Sequence, residues 1–418
     1  MLTLGLAFSL IAAPQQPTQQ LPPPILLKKK EVEEGNPLAQ YCELVAQKDA
    51  YAVSPFAPIY GEVMANLEEF LGVASAGPMA ASLLNVRAPS GPQPIPSGFF
   101  PKDAVAAVIL KARETRLVIY GEEHHLPQTR SIYDALLRGL WKEGYRYLAA
   151  EAFADEVSDE GFKSPGYKSG FYLRDPIYAS AVRTALKLGY RLVPYDTSEQ
   201  GPRDDASFRD RKQAMNIKER VFDKDPKAKV LVIAGRGHAS EVSASDGWTP
   251  MASVLKRETG IDPLTIFAPT MTERTTRDQE HPWYRDAVAR GLVKHPTVFV
   301  GIDGKLLRSE SFDAYIFFPP VEVMNGRPDW MVRDLGRSRT VIPSALLVGN
   351  GVRLVQAFFK GDPVTSIAAD QVLLGKEAGV TNPPDLMLPA GEFRLRTIDA
   401  TGAELATDIV TVPATVTS

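Results

Sequence analysis

The sequence predicts an α/β fold, with a mostly parallel sheet carrying helices on both faces and a C-terminal antiparallel β-sandwich. From Lys102 onward, short apolar runs alternate with amphipathic helical segments. Several of these runs stop directly before an ionisable residue. Beyond Val341 the helical periodicity disappears, and short β-rich runs remain between turn signals. Strands that alternate with helices at this spacing are typical of a parallel sheet covered on both sides.

The composition is that of an ordinary globular protein. The chain has 418 residues, of which 44% are hydrophobic and 23% charged, enough for roughly two or three domains. A net charge of −3 disfavours nucleic acid and anionic membrane surfaces as partners. Cys42 is the only cysteine, which excludes an intrachain disulfide and a cysteine-based metal cluster. We therefore expect a small-molecule or peptide substrate, and the sequence does not indicate an oligomeric state.

The first residues resemble a secretory signal. Leu2 to Ala13 is apolar and ends in small residues, and a Pro/Gln-rich linker follows it. No Lys or Arg precedes the run, and Pro14 would hinder cleavage directly after it. We expect a periplasmic or secreted protein with no transmembrane span after signal removal. The predicted units are signal and linker (1–24), N-terminal helical segment and loop (25–100), α/β domain (101–335) and small β-sandwich (340–418).

The elements of the α/β domain follow one another regularly. Residues 37–71 mix helical periodicity with breaks at proline, and residues 88–101 are rich in Pro, Gly and Ser and predict a loop. Gly144 and Gly189 each end a helical pattern directly before a strand. Strands are predicted at 117–120, 145–150, 190–195, 229–234, 263–267, 297–301 and 314–318, and helices at 103–116, 129–143, 175–188, 206–223 and 248–259.

The stretch from Arg116 to Arg130 carries the strongest chemical signal. Its buried strand, Leu117 to Tyr120, is predicted to end at Gly121 and to open through a polar turn into a helix. The chain has only five histidines, and two of them lie in this turn. The turn holds Glu122, Glu123, His124 and His125.

Three later strands repeat this arrangement. Glu151 follows the strand that ends at residue 150, Asp196 follows the strand that ends at 195, and His238 lies in the segment AGRGHASE after the strand that ends at 234. The carboxyl ends of parallel strands meet at one edge of a sheet, which is where open α/β sheets bind ligands. An acid directly after a buried strand is costly unless it is paired. We therefore favour one common site over four separate solvated turns.

Each of these residues also has a purely structural interpretation. Glu151 could form an ion pair with Arg130, His238 could be a hydrogen-bonded loop histidine, and Asp196 could cap the next turn. Of the arginines in or before the charged helix (Arg203, Arg209 and Arg211), one is expected to clamp an anion or oxyanion. The predicted substrate-contacting residues are Arg130, Asp196, Arg211 and Arg236.

Three tyrosines lie near the same edge of the predicted sheet. They are Tyr172, Tyr178 and Tyr195, and their commonest role at such positions is packing. They could also line a pocket, and a tyrosine can ligate haem iron. The sequence leaves these alternatives open.

The motifs resemble those of the superfamily that joins erythromycin esterase, the haem-binding lipoprotein ChaN and the Tiki/TraB metalloproteases. The resemblance covers roughly residues 103–267. It implies a bacterial member of that superfamily, and it implies a fold and a site more firmly than a reaction, because the superfamily includes both hydrolases and a haem binder. The matching positions are Gly121-Glu122-Glu123-His124 with ChaN-like spacing, Gly121-Glu122-x-x-His125 with Arg130 in esterase-like spacing, Glu151 as the second acid, His238 as the late histidine and, loosely, Arg211 with Met215-Asn216.

We expect an exported hydrolase that attacks an ester, lactone or amide with activated water. His124 or His125 would take the proton, Glu122 or Glu151 would orient that imidazole, and His238 with an arginine would stabilise the oxyanion. No Gly-x-Ser-x-Gly sequence occurs, so a serine nucleophile is not expected. The predicted catalytic residues are Glu122, His124, His125, Glu151 and His238.

The cofactor is not determined by the sequence. In one variant a divalent metal lies between His124, Glu151 and His238, with water as the remaining ligand. In the alternative function the chain is a cell-envelope protein that binds haem or another ligand without turnover. A structural relative with neither property is the third alternative.

Overall fold

The computed structural model describes residues 21–73, 93–202, 204–245 and 247–414, without the side chain of Glu377. The predicted signal segment, the first part of the predicted loop at 88–101, and Arg203 lie outside these residues. The strands are β1 (Phe99–Asp103), β2 (Leu117–Glu122), β3 (Tyr147–Ala150), β4 (Arg191–Pro194), β5 (Val230–Gly235), β6 (Leu264–Phe267), β7 (Thr297–Gly301), β8 (Ala314–Tyr315), β9 (Val323–Met324), β10 (Arg327–Pro328), β11 (Ser338–Thr340), β12 (Arg353–Phe359), β13 (Asp370–Leu374), β14 (Leu386–Leu388), β15 (Gly391–Asp399) and β16 (Glu404–Val412).

Helices precede, separate and follow these strands. A π-helical turn, Lys218–Phe222, extends the eighth helix, and short 3₁₀ turns precede or follow several others. No helix in the described ranges is long and apolar enough to cross a bilayer. The helices are α1 (Lys29–Glu33), α2 (Pro37–Ala46), α3 (Lys48–Ala52), α4 (Ala57–Phe70), α5 (Ala104–Lys111), α6 (Tyr133–Lys142), α7 (Pro176–Leu188), α8 (Phe208–Ile217), α9 (Met251–Thr259), α10 (Pro282–Ala289) and α11 (Trp330–Arg333).

A six-stranded parallel sheet forms the centre of the described chain. Its strand order is β4-β3-β5-β2-β6-β8, and every neighbouring pair runs in the same direction. Alternate residues of β2 enter different cores: Val118 and Tyr120 pack with α5, α6 and α7, whereas Leu117 and Ile119 pack with α8 and α9. This alternation follows from the two-residue period of a strand. The predicted parallel sheet with helices on both faces is confirmed.

Helix α7 shows how local sequence sets these boundaries. The side chain of Asp175 accepts a 2.8 Å hydrogen bond from the backbone N–H of Ile177, and Pro176 occupies the first helical position, where no N–H is needed. Gly189 ends the helix with φ of 92°, a left-handed conformation that glycine adopts without a Cβ clash. The predicted boundaries of this helix agree closely with the structure.

The strand order creates a crevice between β2 and β5. After β2 the chain crosses one face of the sheet through α6 to β3, and after β5 it crosses the other face through α9 to β6. The loops that leave these two neighbouring strands therefore diverge. Such a switch point is the usual ligand-binding position in an open α/β sheet.

Several predicted elements differ from the structure. Strand β2 continues through Gly121 to Glu122, because both residues pair with β5, so the strand does not end at Gly121. Strand β1 begins within the predicted loop at 88–101, continues to Asp103 and pairs antiparallel with β7. Residues 297–301 therefore lie outside the parallel sheet, and of the predicted strand 314–318 only Ala314–Tyr315 joins the sheet, at its edge.

The C-terminal region consists of antiparallel sheets, as predicted. One has the order β13-β12-β15-β16 and the other pairs β11 with β14. The N-terminal helices pack against it, where Leu38 and Leu71 share an apolar cluster with Leu354 and Ile398. The predicted domain boundaries stay predictions.

Candidate functional site

A polar cavity of about 360 Å³ opens at the carboxyl edge of the sheet, beside the crevice between β2 and β5. It is bounded by the turns after β2, β3, β4 and β5 and by parts of α4 and α8. The predicted site residues that line it are His124, His125, Glu151, Asp196, Arg236 and His238. The remaining wall residues are Glu62, Glu123, Tyr172, Arg209, Gly235 and Gly237.

Glu122 lies under the cavity, at the end of β2. Its side chain is buried and is held by Arg130, whose Nε donates to Oε2 at 3.0 Å and whose Nη2 donates to Oε1 at 3.2 Å. The hydroxyl of Tyr133 also donates to Oε2. Burial opposes ionisation, but the charge of Arg130 and the hydrogen bond from His124 outweigh it and hold the pKa of Glu122 well below its usual range.

His124 stands on this buried carboxylate. Its Nδ1 lies 2.9 Å from Oε1 of Glu122. An ionised carboxylate only accepts hydrogen bonds, so we assign the proton of the neutral imidazole to Nδ1 and the free lone pair to Nε2. The ring stacks on Tyr172, with the centroids 3.8 Å apart and the planes 13° apart. The Glu122 contact thus fixes the edge of the imidazole, and the Tyr172 ring fixes its face.

Gly235 leaves the space above His124 open. A Cβ at this position would lie 3.0 Å from Nε2 of His124 and 3.0 Å from Oε2 of Glu151. Contacts this short are tighter than ordinary van der Waals packing, so a side chain would crowd both groups. The same geometry shows that the free nitrogen of His124 and the Glu151 carboxylate face one small volume.

Glu151 is held from two sides. Its Oε2 accepts a 2.6 Å hydrogen bond from the backbone N–H of Gly235, and its Oε1 accepts a 2.7 Å bond from Nη2 of Arg209. Arg209 in turn donates to both oxygens of Asp196 at 2.9 and 2.7 Å. Gln213, one helical turn beyond Arg209, donates to Asp196 at 2.8 Å. Asp196 therefore positions the arginine that pairs with Glu151.

His238 has an arrangement like that of His124 and lies near the other carboxylate oxygen of Glu151. Its Nδ1 lies 2.6 Å from Oδ1 of Asp210, and its Nε2 lies 3.7 Å from Oε1 of Glu151. Asp210 is fixed by the Trp248 indole N–H at 2.9 Å and by the backbone N–H of Met251 at 2.8 Å. Burial disfavours the charged ring, but the Asp210 hydrogen bond and the Glu151 charge outweigh it and raise the pKa of His238.

His125 faces the cavity in a different state. Its Nδ1 has no hydrogen-bond partner among the described residues, and its Nε2 lies 4.0 Å from Oε1 of Glu62 on α4. Burial above all, with the nearby charge of Arg130, lowers the pKa of His125 to about 4. The ring is therefore neutral at pH 7.

Glu123 and Arg236 form the remaining charged wall. Nη1 of Arg236 lies 3.4 Å from Oε2 of Glu123, and the arginine side chain is 44% exposed toward the opening. Burial raises the pKa of Glu123, although the charge of Arg236 acts in the opposite direction. Arg236 thus presents a guanidinium group to the cavity, and its contact with a substrate stays a prediction.

Two residues predicted to contact a substrate, Arg130 and Arg211, do not line this cavity. Arg130 is fully buried and pairs with Glu122 and with Asp175, so a substrate cannot reach it. Arg211 pairs with Asp205 and does not line the cavity. The alternative ion pair between Arg130 and Glu151 does not form among the described residues, because Glu151 pairs with Arg209 instead.

The tyrosines separate into two groups. Tyr172 lines the cavity and stacks on His124. Tyr178 and Tyr195 are buried, and the hydroxyl of Tyr195 donates to the backbone carbonyl of Ile233 at 2.9 Å. Packing is therefore the role of the last two.

The donor set does not fit the metal variant. In the described ranges, no group of three or more His, Cys, Asp or Glu side chains is arranged to hold a metal ion. Arg209 instead occupies Oε1 of Glu151, and its Nη1 lies 3.4 Å from Nε2 of His238. A guanidinium between two intended ligands opposes a cation there. His124, Glu151 and His238 line the same cavity, but Arg209 contacts both Glu151 and His238.

Sequence inspection missed three contributors, Glu62, Asp210 and Trp248. Asp210 directly follows Arg209 in the charged run FRDRK, where the sequence pointed only to the arginines as site candidates. The spacing of Arg209 and Gln213, which are four residues apart, was the one available signal that this helix turns polar groups inward. Nothing in the local sequence connects Glu62 with a site some 60 residues later.

Comparisons with known proteins give only distant similarities. No protein-family model and no curated protein matches the chain. The type III effector HopBA1 is similar with a TM-score of 0.29 and 14% identity, over 47% of this chain and 96% of that one. ChaN of Campylobacter jejuni, which binds haem cofacially, has a TM-score of 0.27 and 13% identity, over 44% and 95%. A structure of bacterial protein toxins has a TM-score of 0.30 and 14% identity, over 57% of each chain. These values are too low to transfer a function, and membership of the superfamily stays a prediction.

Proposed function

We propose that this protein is a hydrolase in which His124 and His238 act as a base and acid pair on an ester, lactone or amide. The observation that carries this proposal is the matched support of the two rings. Each ring has its Nδ1 within hydrogen-bond distance of a carboxylate that is itself fixed. Nε2 of His238 lies 3.7 Å from Oε1 of Glu151, and Nε2 of His124 faces the same space beside Gly235 as Oε2 of Glu151. Two imidazoles whose environments differ are a usual arrangement for proton transfer in both directions.

His124 is the proposed base. Its Nε2 accepts a proton from a water molecule, and the hydroxide oxygen forms a bond to the carbonyl carbon of the substrate. The ionised Glu122 stabilises the resulting imidazolium through Nδ1. Because Arg130 and Tyr133 already fix Glu122, little reorganisation accompanies this step.

His238 is the proposed acid. Its raised pKa shifts the balance toward the protonated ring, in which Nε2 carries a proton that passes to the leaving oxygen or nitrogen as the bond to carbon breaks. Arg209 and Arg236 would stabilise the negative charge on the carbonyl oxygen before that bond breaks. The products are a carboxylic acid and an alcohol or amine, and solvent returns the proton from His124 to His238.

The polar wall favours this hydrolase over the haem-binding alternative. Pockets for large cofactors are lined mainly by apolar side chains, whereas carboxylates, imidazoles and guanidinium groups line this one. His125, neutral and without a partner at Nδ1, would serve as a substrate contact rather than as the base. Superfamily membership and export from the cytoplasm are further parts of the proposal, as the motifs and the apolar N-terminus suggest.

The test is hydrolysis of a panel of p-nitrophenyl esters, lactones and amides by the full chain and three variants. We expect His124→Asn and His238→Asn each to lower kcat/KM by about 10²–10⁴-fold. Arg211→Met, a change in the neighbouring surface ion pair, should leave the rate within about twofold.

Two outcomes would overturn the proposal. One is a wild-type rate on the whole panel no higher than that of His124→Asn. The other is a Soret band that shifts when haemin is added and reverts in His124→Asn, in the absence of hydrolysis, which would favour the haem-binding alternative.

A further inference from the structure

A second cavity lies behind the turn that carries His124 and His125. It has a volume of about 480 Å³ and is bounded by α4, the start of α7, residues 272–275 and β13. Leu126, Ile177 and Trp330 are among its mainly apolar wall residues. It thus lies where the N-terminal helices, the parallel sheet and the C-terminal sheets meet, a usual place for a small-molecule site.

Most charged groups in the wall of this cavity are already neutralised. Asp175 pairs with Arg130 at 2.6 Å, and Asp370 pairs with Arg327 at 2.5 Å. Each of these two carboxylates therefore has a cationic partner, although Asp175 shares Arg130 with Glu122. An apolar molecule could therefore bind against the apolar wall while the Asp175 and Asp370 ion pairs stay intact.

Arg274 is the exception. Its side chain is buried, Nη2 donates to the backbone carbonyl of Pro269 at 2.6 Å, and Nη1 has no hydrogen-bond partner among the described residues. Among the described residues, no carboxylate lies within ion-pair distance of Arg274. Glu123, whose charge acts on Arg274, pairs with Arg236 instead. A buried guanidinium stays charged, and such a charge is costly until an anion pairs with it.

Glu69 does not supply that anion. Both of its carboxylate oxygens are shielded from solvent and lack a partner among the described residues. Burial raises the pKa of Glu69 well above its usual range and so disfavours its ionised form. Arg274 is therefore a buried cation of the cavity wall without an ionic partner among the described residues. Glu273, which also lines the wall, is exposed and accepts a hydrogen bond from the backbone N–H of Val321.

We propose that this second cavity binds a small amphipathic carboxylate, with its apolar body against Trp330 and Ile177 and its carboxylate on Arg274. Carboxylate is the natural partner of a guanidinium, because two parallel N–H···O bonds fit both groups. The proposal is independent of the hydrolase function, since it concerns binding in a different cavity.

The experiment is calorimetric titration of the full chain with octanoate, octanol and octylamine, which share one apolar body and differ in the head group. We expect octanoate to bind at least tenfold more tightly than the other two. Arg274→Met should remove this preference, and Arg274→Lys should keep part of it. Arg211→Met, the same substitution in a surface ion pair outside this cavity, is the matched control and should change octanoate affinity less than twofold.

The proposal fails if octanol or octylamine binds as tightly as octanoate, or if none of the three binds saturably. It also fails if Arg274→Met keeps the octanoate preference. Urea unfolding of each variant shows whether a loss of binding comes from a loss of folding. The comparison of the three head groups uses the unaltered chain and does not depend on any variant.

Discussion

Arg130 and Glu122 form a two-point ion pair that lies wholly inside the protein, with Nε 3.0 Å from Oε2 and Nη2 3.2 Å from Oε1. The same guanidinium donates to the backbone carbonyl of His124 at 3.0 Å and to Asp175, the cap of α7, at 2.6 Å. One buried cation therefore connects the end of β2, the turn that carries the proposed base, and the start of a helix. This connection makes the site depend on a residue that no substrate reaches.

Replacing Arg130 with methionine should destabilise the fold strongly. Methionine fills similar space but leaves Glu122 and Asp175 as buried carboxylates without their cation, and loss of one partner of a buried pair costs about 3–5 kcal/mol. Urea unfolding measures the change. Arg211→Met removes an arginine of a more exposed pair and should cost less than about 1 kcal/mol. A loss for Arg130→Met as small as that of Arg211→Met would contradict the supporting role.

Alanine at position 235 should impair hydrolysis while leaving the fold nearly intact. Its Cβ would stand 3.0 Å from Nε2 of His124 and 3.0 Å from Oε2 of Glu151, in the space proposed for the attacking water. A displacement of about 1 Å at a reacting centre can cost about 10²-fold in rate. Steady-state kinetics on the ester panel measures this loss, and urea unfolding should show a change below about 1 kcal/mol. An unchanged kcat/KM would place the water elsewhere.

The stability that His238 contributes should decline as the pH rises. The folded-state pKa of His238 lies above the usual 6.5, so the protonated ring stabilises the fold below about pH 6.5, and this contribution is lost as pH rises through the folded pKa. The difference in unfolding free energy between the unaltered chain and His238→Gln should therefore shrink between pH 6 and 9. Urea unfolding at a series of pH values measures it, and a difference that grows with pH would refute the assignment.

Much of the fold was predictable because its signals are local. The alternation of apolar runs with glycine-terminated helices predicted α7 and β5 nearly to the residue. The convergence of Glu151 and His238 on His124 followed from strand direction alone.

What the sequence could not predict depends on contacts between distant segments. Arg209 and Arg211 are two residues apart on α8, and only the helix orientation decides that Arg209 faces Glu151 while Arg211 faces Asp205. Because an α-helix turns by about 100° per residue, two residues that are two positions apart point in nearly opposite directions. A charged run has no apolar stripe that would show which of them faces the protein. Glu62 lines the cavity because α4 packs beside it. The spacing of residues in the sequence does not predict this contact between distant segments.

His125 should destabilise the protein in acid, opposite in sign to His238. Its folded-state pKa of about 4 lies below the usual value of 6.5, so the unfolded chain binds a proton that the folded chain refuses. Between pH 6.5 and 4 the folded state should lose on the order of 3 kcal/mol through this residue alone. His125→Gln removes the titrating group, and carboxylates elsewhere titrate equally in both proteins. The unfolding free energy of the unaltered chain, relative to that of His125→Gln, should therefore fall as pH decreases from 7 to 4. A constant difference over that range would mean that the ring is solvated or paired, and that His125 does not face the cavity as a neutral group.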